Sequence, residues 1–189
     1  MAILNQYPNQ STNWQDQVYR TSVSTDHNLS VSGNTLNTPY RVSVGYSHED
    51  GTIKVSSFER FTADLSINPK FFDDHLSISL HLKGSINNNV NIDGGVVGAA
   101  AFYDPTKPMY NTDGAYNGYW NWTKPNGSPN VLSGTNPLSV LYDYNDKAKT
   151  RRSIGNLPAD YRFHFLTELR FNINPGYAIA TGRGNDKCC

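Results

Sequence analysis

Apolar residues occupy every second position in two consecutive runs of the chain, and polar residues fill the positions between them. The first run is Phe61, Ala63, Leu65 and Ile67, and the second is Leu76, Ile78, Leu80, Leu82, Gly84 and Ile86. Side chains of a β-strand point to opposite faces in turn, whereas a helix would distribute these residues around its axis. Between the runs, Pro69 lacks the N–H that a sheet requires, and Asp73 and Asp74 suit a turn. The pattern therefore predicts an antiparallel hairpin of two long strands.

The same alternation recurs before and after this hairpin. Counting every run, the sequence predicts six long strands, at about 27–33, 39–47, 57–68, 75–87, 151–163 and 169–179. Runs of roughly eight to twelve residues exceed the five or six common in soluble domains and match the nine to eleven of a transmembrane β-barrel. Pro158 and Pro175 interrupt the last two strands and indicate an edge, a bulge or disorder. Because long soluble sandwich sheets alternate in the same way, the pattern leaves both architectures open.

Each predicted strand has one apolar and one polar face. The apolar set, expected on a convex face toward lipid, is Leu29, Val31, Tyr40, Val42, Val44, Leu65, Ile67, Leu76, Ile78, Leu80 and Leu82. The polar set, expected on the concave face, is Asn28, Ser30, Arg41, Ser43, Asp64, Ser66, Ser77, Ser79, His81 and Lys83. A slip of one residue would move a whole strand from one set to the other.

The connections between the predicted strands alternate between short and long. The longest, residues 88–150, is rich in Asn, Gly and Pro and shows no regular period. Inside it, Pro137 suits the first position of a short helix over 136–141. A turn or two of helix is also expected from Trp14 to Arg20, capped by Thr12 or Asn13. A membrane barrel keeps its turns short on one side and its loops long on the other, so the alternation of connections favours a barrel.

Composition argues against several classes of function. The 189 residues carry a net charge of zero, which gives no electrostatic reason to expect nucleic acid as a partner. No run approaches the about 18 consecutive apolar residues of a membrane helix. The five histidines fall at no metal spacing, and the chain has no Gly-rich phosphate loop or nucleophile elbow. The sequence therefore predicts neither an enzyme nor a cofactor or metal site.

A series of short motifs runs through the chain from about residue 13 to about residue 182. They include Trp14-Gln15-Asp16-Gln17-Val18-Tyr19-Arg20, Tyr40-Arg41-Val42-Ser43-Val44-Gly45-Tyr46, Phe71-Phe72-Asp73-Asp74-His75-Leu76, Phe102-Tyr103-Asp104-Pro105-Thr106-Lys107-Pro108 and Arg151-Arg152-Ser153-Ile154-Gly155-Asn156. In this order and spacing the motifs resemble the early barrel region, after the plug, of SusC/RagA-type TonB-dependent transporters.

The resemblance implies an all-β fold: a partial antiparallel transmembrane β-barrel with about six strands in meander order, an open sheet and one long external loop. Residues 1–26 would be an external-loop segment, 27–87 four strands, 88–150 the long external loop, 151–180 two strands and 181–189 an aberrant tail. The plug, the TonB box and a signal peptide are not matched. A truncated or frameshifted gene fragment, inactive by itself, is therefore expected.

Four aromatic residues form the candidate site: Tyr116, Tyr119, Trp120 and Trp122. Their rings offer flat apolar faces on which sugar rings can stack. Large external loops of the family face the substrate and the lid lipoprotein, so the resemblance implies contact with a glycan or peptide substrate or with a SusD-like lid. Packing within the loop, or anchoring at the membrane interface, would also explain the aromatic residues. The segment 104–108 is interpreted as a rigid turn.

Three functions remain open. The first, implied by the resemblance, is a barrel-wall segment of a nutrient importer for oligosaccharides or peptides, in contact with lipid of a Bacteroidetes-like outer membrane and energised by the TonB system. The second is a soluble β-sandwich module that binds carbohydrate. The third is a fragment with no function of its own. A soluble module would need a second layer over the apolar face, which a structure can test.

Overall fold

The computed structural model describes residues 11–35, 38–112, 116–130, 132–166 and 168–187. In chain order its helices and strands are α1 (Trp14–Val18), β1 (Ser24–Thr35), β2 (Thr38–Asp50), β3 (Ser57–Ile67), β4 (Lys70–Phe71), β5 (Leu76–Ile78), β6 (Leu80–Asn91), α2 (Gly95–Phe102), α3 (Pro137–Asp143), β7 (Asn145–Asn156), β8 (Ala159–Arg162), β9 (Arg170–Ile173) and β10 (Gly176–Lys187), with one 3-10 turn at Tyr116–Gly118.

The six long strands form one antiparallel sheet, in the order β1-β2-β3-β6-β7-β10, which we call the main sheet. A second, smaller sheet has the order β4-β5-β8-β9. Within the described residues, β1 and β10 each pair on one side only, so the main sheet is open. The predicted all-β class, the meander order of the long strands and the open sheet are confirmed.

Cross-strand register shows which side chains share a face of the main sheet. Val44 lies directly opposite Leu29 on one side and Ala63 on the other, and Leu65 lies opposite Val42 and Leu82. Side chains of directly opposed residues project from the same face, so these residues form one apolar face. On the other, polar face, Asp64 lies opposite both Ser43 and Lys83. The two predicted sets are confirmed for all members that lie in the main sheet.

Leu76, Ser77 and Ile78 do not belong to the main sheet, because three predicted strands are each interrupted. The interruptions lie at Ser79 between β5 and β6, at Pro158 between β7 and β8, and at Pro175 between β9 and β10. Backbone hydrogen bonds connect them, since the N–H of Ser79 donates to the Pro158 carbonyl (2.8 Å) and the N–H of Leu157 to the Pro175 carbonyl (2.9 Å).

The interruptions therefore lie side by side across neighbouring strands, and Pro69, between β3 and β4, extends the same line. A proline has no N–H to continue a ladder, which explains why both sheets end along this line.

Residues 181–187 are not a tail. They continue β10, and the register with β7 runs from Thr181 opposite Arg151 to Lys187 opposite Asn145. Alternating apolar residues are absent here, but the ladder of backbone hydrogen bonds does not require them. Cys188 and Cys189 lie outside the described residues.

The predicted long loop is shorter and more ordered than expected. Strand β6 runs to Asn91 and β7 begins at Asn145, so only residues 92–144 connect them. This connection contains α2 and α3, and the predicted first position of Pro137 in α3 is confirmed, with the Asn136 side chain as the cap. The predicted helix near Trp14 is confirmed as α1, capped by Asn13. No helix among the described residues is both long and apolar enough to cross a bilayer.

Two glycines of the apolar face provide a test of its packing. A Cβ atom on Gly155 would overlap a Tyr177 ring carbon and lie 2.8 Å from a Leu82 methyl, whereas on Gly84 the nearest atom would be 3.9 Å away. Gly155→Ala should therefore reduce the free energy of unfolding by roughly 1–3 kcal/mol through overpacking. Gly84→Ala, the matched control, should be neutral or slightly stabilising. Denaturant titration in detergent micelles measures both, and equal effects of the two substitutions would refute this packing.

Candidate functional site

The strand ends at one end of the main sheet carry a folded unit, which we call the cap. It consists of α1, the β2–β3 connection at 51–56, and residues 92–144. All buried apolar side chains among the described residues lie in the cap: Trp14, Val18, Val96, Ala100, Tyr103, Pro137, Leu138 and Leu141. The strands contribute none. The hydrophobic core therefore lies in the cap, at the end of the main sheet, and not on either face of the sheet.

Helix α1 is fixed to the cap by polar contacts that span long sequence separations. The Trp14 indole N–H donates to the Asp104 carbonyl (3.1 Å), and the Thr12 hydroxyl donates to the Lys107 carbonyl (2.9 Å). After the helix, the Arg20 guanidinium donates to the Asp50 carboxylate (2.8 Å) and to the Ser56 carbonyl (2.8 Å). The segment before β1 is therefore tied to both the β2–β3 connection and the long connection.

The predicted turn at 104–108 forms and organises the cap. The Lys107 N–H donates to the Asp104 carbonyl (3.3 Å), and the Asp104 carboxylate accepts from the Thr106 N–H (2.9 Å) and hydroxyl (2.7 Å). Burial acts to raise the pKa of Asp104, but the Thr106 hydrogen bonds and the Lys107 charge outweigh it and leave the pKa below its ordinary value. This carboxylate is therefore ionised at neutral pH.

Lys107 is a buried cation whose side chain is 4% exposed. Its Nζ lies 3.7 Å from an Asp104 carboxylate oxygen, 4.9 Å from the centre of the Trp122 ring and 5.7 Å from that of Trp120. A buried cation requires an anion or aromatic faces in place of water, and this site provides both. The tryptophans of the predicted site thus have a structural role, in agreement with the alternative interpretation of packing within the loop.

A chain of aromatic rings connects this cation to α1. The Tyr103 ring lies edge-on to Trp14 (4.9 Å between centres) and to Trp120 (6.5 Å), and Trp120 lies edge-on to Trp122 (5.0 Å). The Tyr103 hydroxyl donates to the Trp120 carbonyl (3.1 Å). Burial, with the nearby Asp104 charge, raises the pKa of Tyr103, so its hydroxyl keeps the proton that it donates.

Asn136 closes the cap from the other side, and it is completely buried. Its side-chain oxygen accepts from the Leu138 N–H (2.9 Å) and so caps α3. Its amide nitrogen donates to the Met109 carbonyl (3.0 Å) and to the Trp120 carbonyl (2.9 Å). One side chain therefore joins the start of α3 to two other segments of the connection.

The four predicted site residues separate into two environments. Tyr116 and Trp122 line a cleft of about 280 Å³, whereas Tyr119 and Trp120 pack against the core of the cap and are not part of the cleft lining. Tyr116 lies in the 3-10 turn, where Tyr116 and Asn117 both have positive φ (55° and 56°). Non-glycine residues adopt this conformation rarely, which marks the turn as a place where the surrounding structure determines the backbone.

Polar residues complete the cleft, and they were not predicted. Those with side-chain oxygen or nitrogen atoms on the lining are Asn117, Asn121, Asn130, Ser133, Thr135, Ser139 and Asp143. The Asp143 carboxylate accepts from the Ser139 hydroxyl (2.7 Å) and from the Asn117 amide (3.3 Å). Two aromatic rings beside amide, hydroxyl and carboxylate groups can bind a ligand rich in hydroxyl or amide groups. No cluster of metal-binding side chains occurs in the described part of the chain.

The comparisons with known proteins agree with this architecture. No protein-family model matches the chain. Over 185 residues it is 42% identical to the TonB-dependent receptor SusC of Bacteroides thetaiotaomicron. This alignment covers 91% of this chain and 18% of SusC. It is 28% identical over 184 residues to the TonB-dependent receptor P3 of Formosa agariphila, covering 89% of this chain and 17% of P3.

One solved structure, of the RagAB peptide transporter, aligns with a TM-score of 0.42 and 18% identity over 80% of this chain and 20% of the transporter chain. That score supports no further conclusion.

An open sheet of long antiparallel strands, apolar on one uncovered face, is a segment of a β-barrel wall. With the similarity to SusC over nearly its whole length, the chain belongs to the SusC/RagA family of TonB-dependent receptors. It spans 18% of the length of SusC.

Asn136 provides the sharpest test of the cap. Asn136→Ala removes the cap of α3 and one of the two donors to each of the Met109 and Trp120 carbonyls, so cap stability should fall by roughly 1–3 kcal/mol. Asn117→Gly, which removes one exposed hydrogen bond and permits the positive φ of this position, should cost less than about 1 kcal/mol. Hydrogen exchange of the α3 amides in detergent micelles reports both values. Unchanged protection in Asn136→Ala would show that this residue does not hold the cap together.

Proposed function

We propose that the chain forms part of the barrel wall, with its external cap, of an outer-membrane importer that takes up oligosaccharides or peptides and is energised by the TonB system. The single observation that carries this proposal is the 42% identity to a TonB-dependent receptor. The uncovered apolar face of the main sheet supports it physically.

None of the described residues covers this face. Leu29, Val31 and Ile179 are 67%, 57% and 60% exposed. In water such a continuous apolar surface would be costly, and in a bilayer the lipid chains cover it. A soluble β-sandwich would instead bury these side chains under a second sheet, so the exposures favour the barrel over the carbohydrate-binding sandwich.

The polar face suits the inside of such a barrel. The residues that project from it include Arg41, Ser43, Asp64, Ser66, His81 and Lys83. The Lys83 Nζ lies 3.5 Å from an Asp64 carboxylate oxygen. Barrel interiors of outer-membrane proteins are polar and accessible to water. The cap then stands on the external side, where the family places its long loops.

The six strands do not close on themselves, so we propose that the segment transports nothing by itself and acts within a full-length receptor. Strands β1 and β10 leave unpaired N–H and C=O groups along one side, and such groups are costly in lipid. A complete receptor would satisfy them with neighbouring strands. A SusD-like lipoprotein, as the lid, would then be a partner of the cap.

A chimera tests the barrel assignment. The aligned segment of SusC is replaced by this chain, and the receptor should still assemble in the outer membrane. In that chimera, Val44→Arg on the apolar face should reduce stability in a bilayer by roughly 2–4 kcal/mol, because a charge near the membrane midplane is poorly solvated. Ser43→Arg, its neighbour on the polar face, should have a far smaller effect. Refolding titrations into lipid measure both, and equal losses would contradict the assignment of faces.

Ligand contact by the cleft is tested in the same chimera. Tyr116→Ala and Trp122→Ala together should weaken uptake of the receptor's ligand or association of the lid, without preventing assembly. The matched control is Tyr110→Ala, since this tyrosine is exposed and lies outside the cleft. Uptake and lid co-purification are compared at equal receptor levels. If the cleft variant behaves like the control, the aromatic residues serve only to pack the cap.

A further inference from the structure

We propose that β7 and β10 carry a binding site for the phosphate groups of anionic membrane lipids, at the cap end of the apolar face. The inference rests on the proposed function as a barrel wall and adds a specific lipid class. The site consists of Lys147, Lys149, Arg151 and Arg183, which we call the basic cluster.

Register places the basic cluster on the lipid-facing side rather than inside the barrel. Arg151 lies directly opposite Ile86, and Ile86 opposite Phe61, both members of the apolar face. Lys149 lies opposite Arg183. Lys147, Lys149 and Arg151 alternate along β7, so all three project from the same face as Phe61. The cluster therefore begins where the apolar rows end and continues toward the cap.

The four cations are close together, and no counter-charge lies beside them among the side chains that the structure describes. Residues two apart on a strand are separated by about 6.8 Å, and directly opposed residues by about 5 Å. None of the four forms an ion pair with any of these described side chains. Among the residues paired across the sheet with Lys149, the nearest carboxylate belongs to Glu59, two strands away. That carboxylate already accepts from the Asn88 amide (3.3 Å) and lies 3.5 Å from His48 Nδ1.

The described side chains of the other face do not compensate the cluster. Arg152, between Arg151 and Ser153 on β7, adds a further cation there, and the Asp146 carboxylate accepts from the Asn91 amide (2.9 Å). The cluster therefore has a net positive charge that an external anion can neutralise. Guanidinium groups favour phosphate because their planar N–H groups match two of its oxygens.

An apolar depression lies directly beside the cations. It measures about 360 Å³, and its lining includes Phe61, Ile86, Ile179 and Arg151. Arg151 lines this depression, so its aliphatic stem can lie against the apolar side while its exposed head extends toward the cluster, as long basic side chains do at membrane surfaces. A hydrocarbon segment in the depression would place a linked phosphate next to the cations. This combination fits an anionic lipid better than a free anion.

The test is lipid selectivity of the SusC chimera that carries this chain, reconstituted into phosphatidylcholine vesicles that contain phosphatidylglycerol. Spin-labelled forms of the two lipids report which one the protein retains at its surface. We expect a preference for phosphatidylglycerol of at least about fivefold, the contribution of one cation near an anionic surface. Replacing all four cations with Gln should remove the preference. The double variant Lys149→Gln and Arg183→Gln, which keeps Arg151, should reduce the preference.

The matched control removes four cations from the polar face: Arg41→Gln, Arg60→Gln, Lys83→Gln and Arg152→Gln. It changes the net charge equally and should keep the preference. Insertion without any preference, or equal loss in the control, would overturn the inference while leaving the barrel assignment intact. Failure of the unaltered chimera to assemble in the membrane would overturn both. Displacement of the lipid by inorganic phosphate, but not by chloride of equal ionic strength, would indicate a free-phosphate site instead of a lipid site.

Discussion

Cross-strand register is the constraint on which the rest of the structure depends. Val44 shares a row with Leu29 and Ala63 because each pair of strands is aligned residue for residue. A slip of one position in β2 would place Ser43 among the apolar residues and turn Val44 to the polar side. The two faces of the sheet, and with them the positions of the basic cluster and the polar interior, exist only in this register.

Register also explains where the sheet ends. Interruptions at Ser79, Pro158 and Pro175 divide three neighbouring strands, and hydrogen bonds from Ser79 and Leu157 to proline carbonyls align them. The prolines themselves could be read from the sequence, but the alignment of the interruptions depends on how the strands pair. Local pattern therefore predicted the number of long strands and missed the division into two sheets. The strand over 181–187 was missed for a related reason, since its glycines give no alternation and only the pairing with β7 reveals it.

The cap could not be predicted from periodicity, because its core combines residues from distant parts of the chain. Trp14 meets Tyr103, and Leu138 and Leu141 come from a helix more than a hundred residues after Trp14. The aromatic cluster was recognised from composition, but its division between the core and the cleft depends on contacts with Lys107 and Asn136. Buried polar residues of this kind resemble surface residues in a sequence, and only their partners identify them.

If the cleft binds the ligand as proposed, Trp122 connects the stability of the cap to that binding. Its ring contacts the buried Lys107 cation and also lines the cleft beside Tyr116. A binding residue held in this way has little side-chain freedom left to lose when a ligand arrives, and ordering a flexible loop is a major cost of binding. An external loop with its own core can therefore present a preformed surface to a ligand or a lid, whereas a structureless loop would first have to fold.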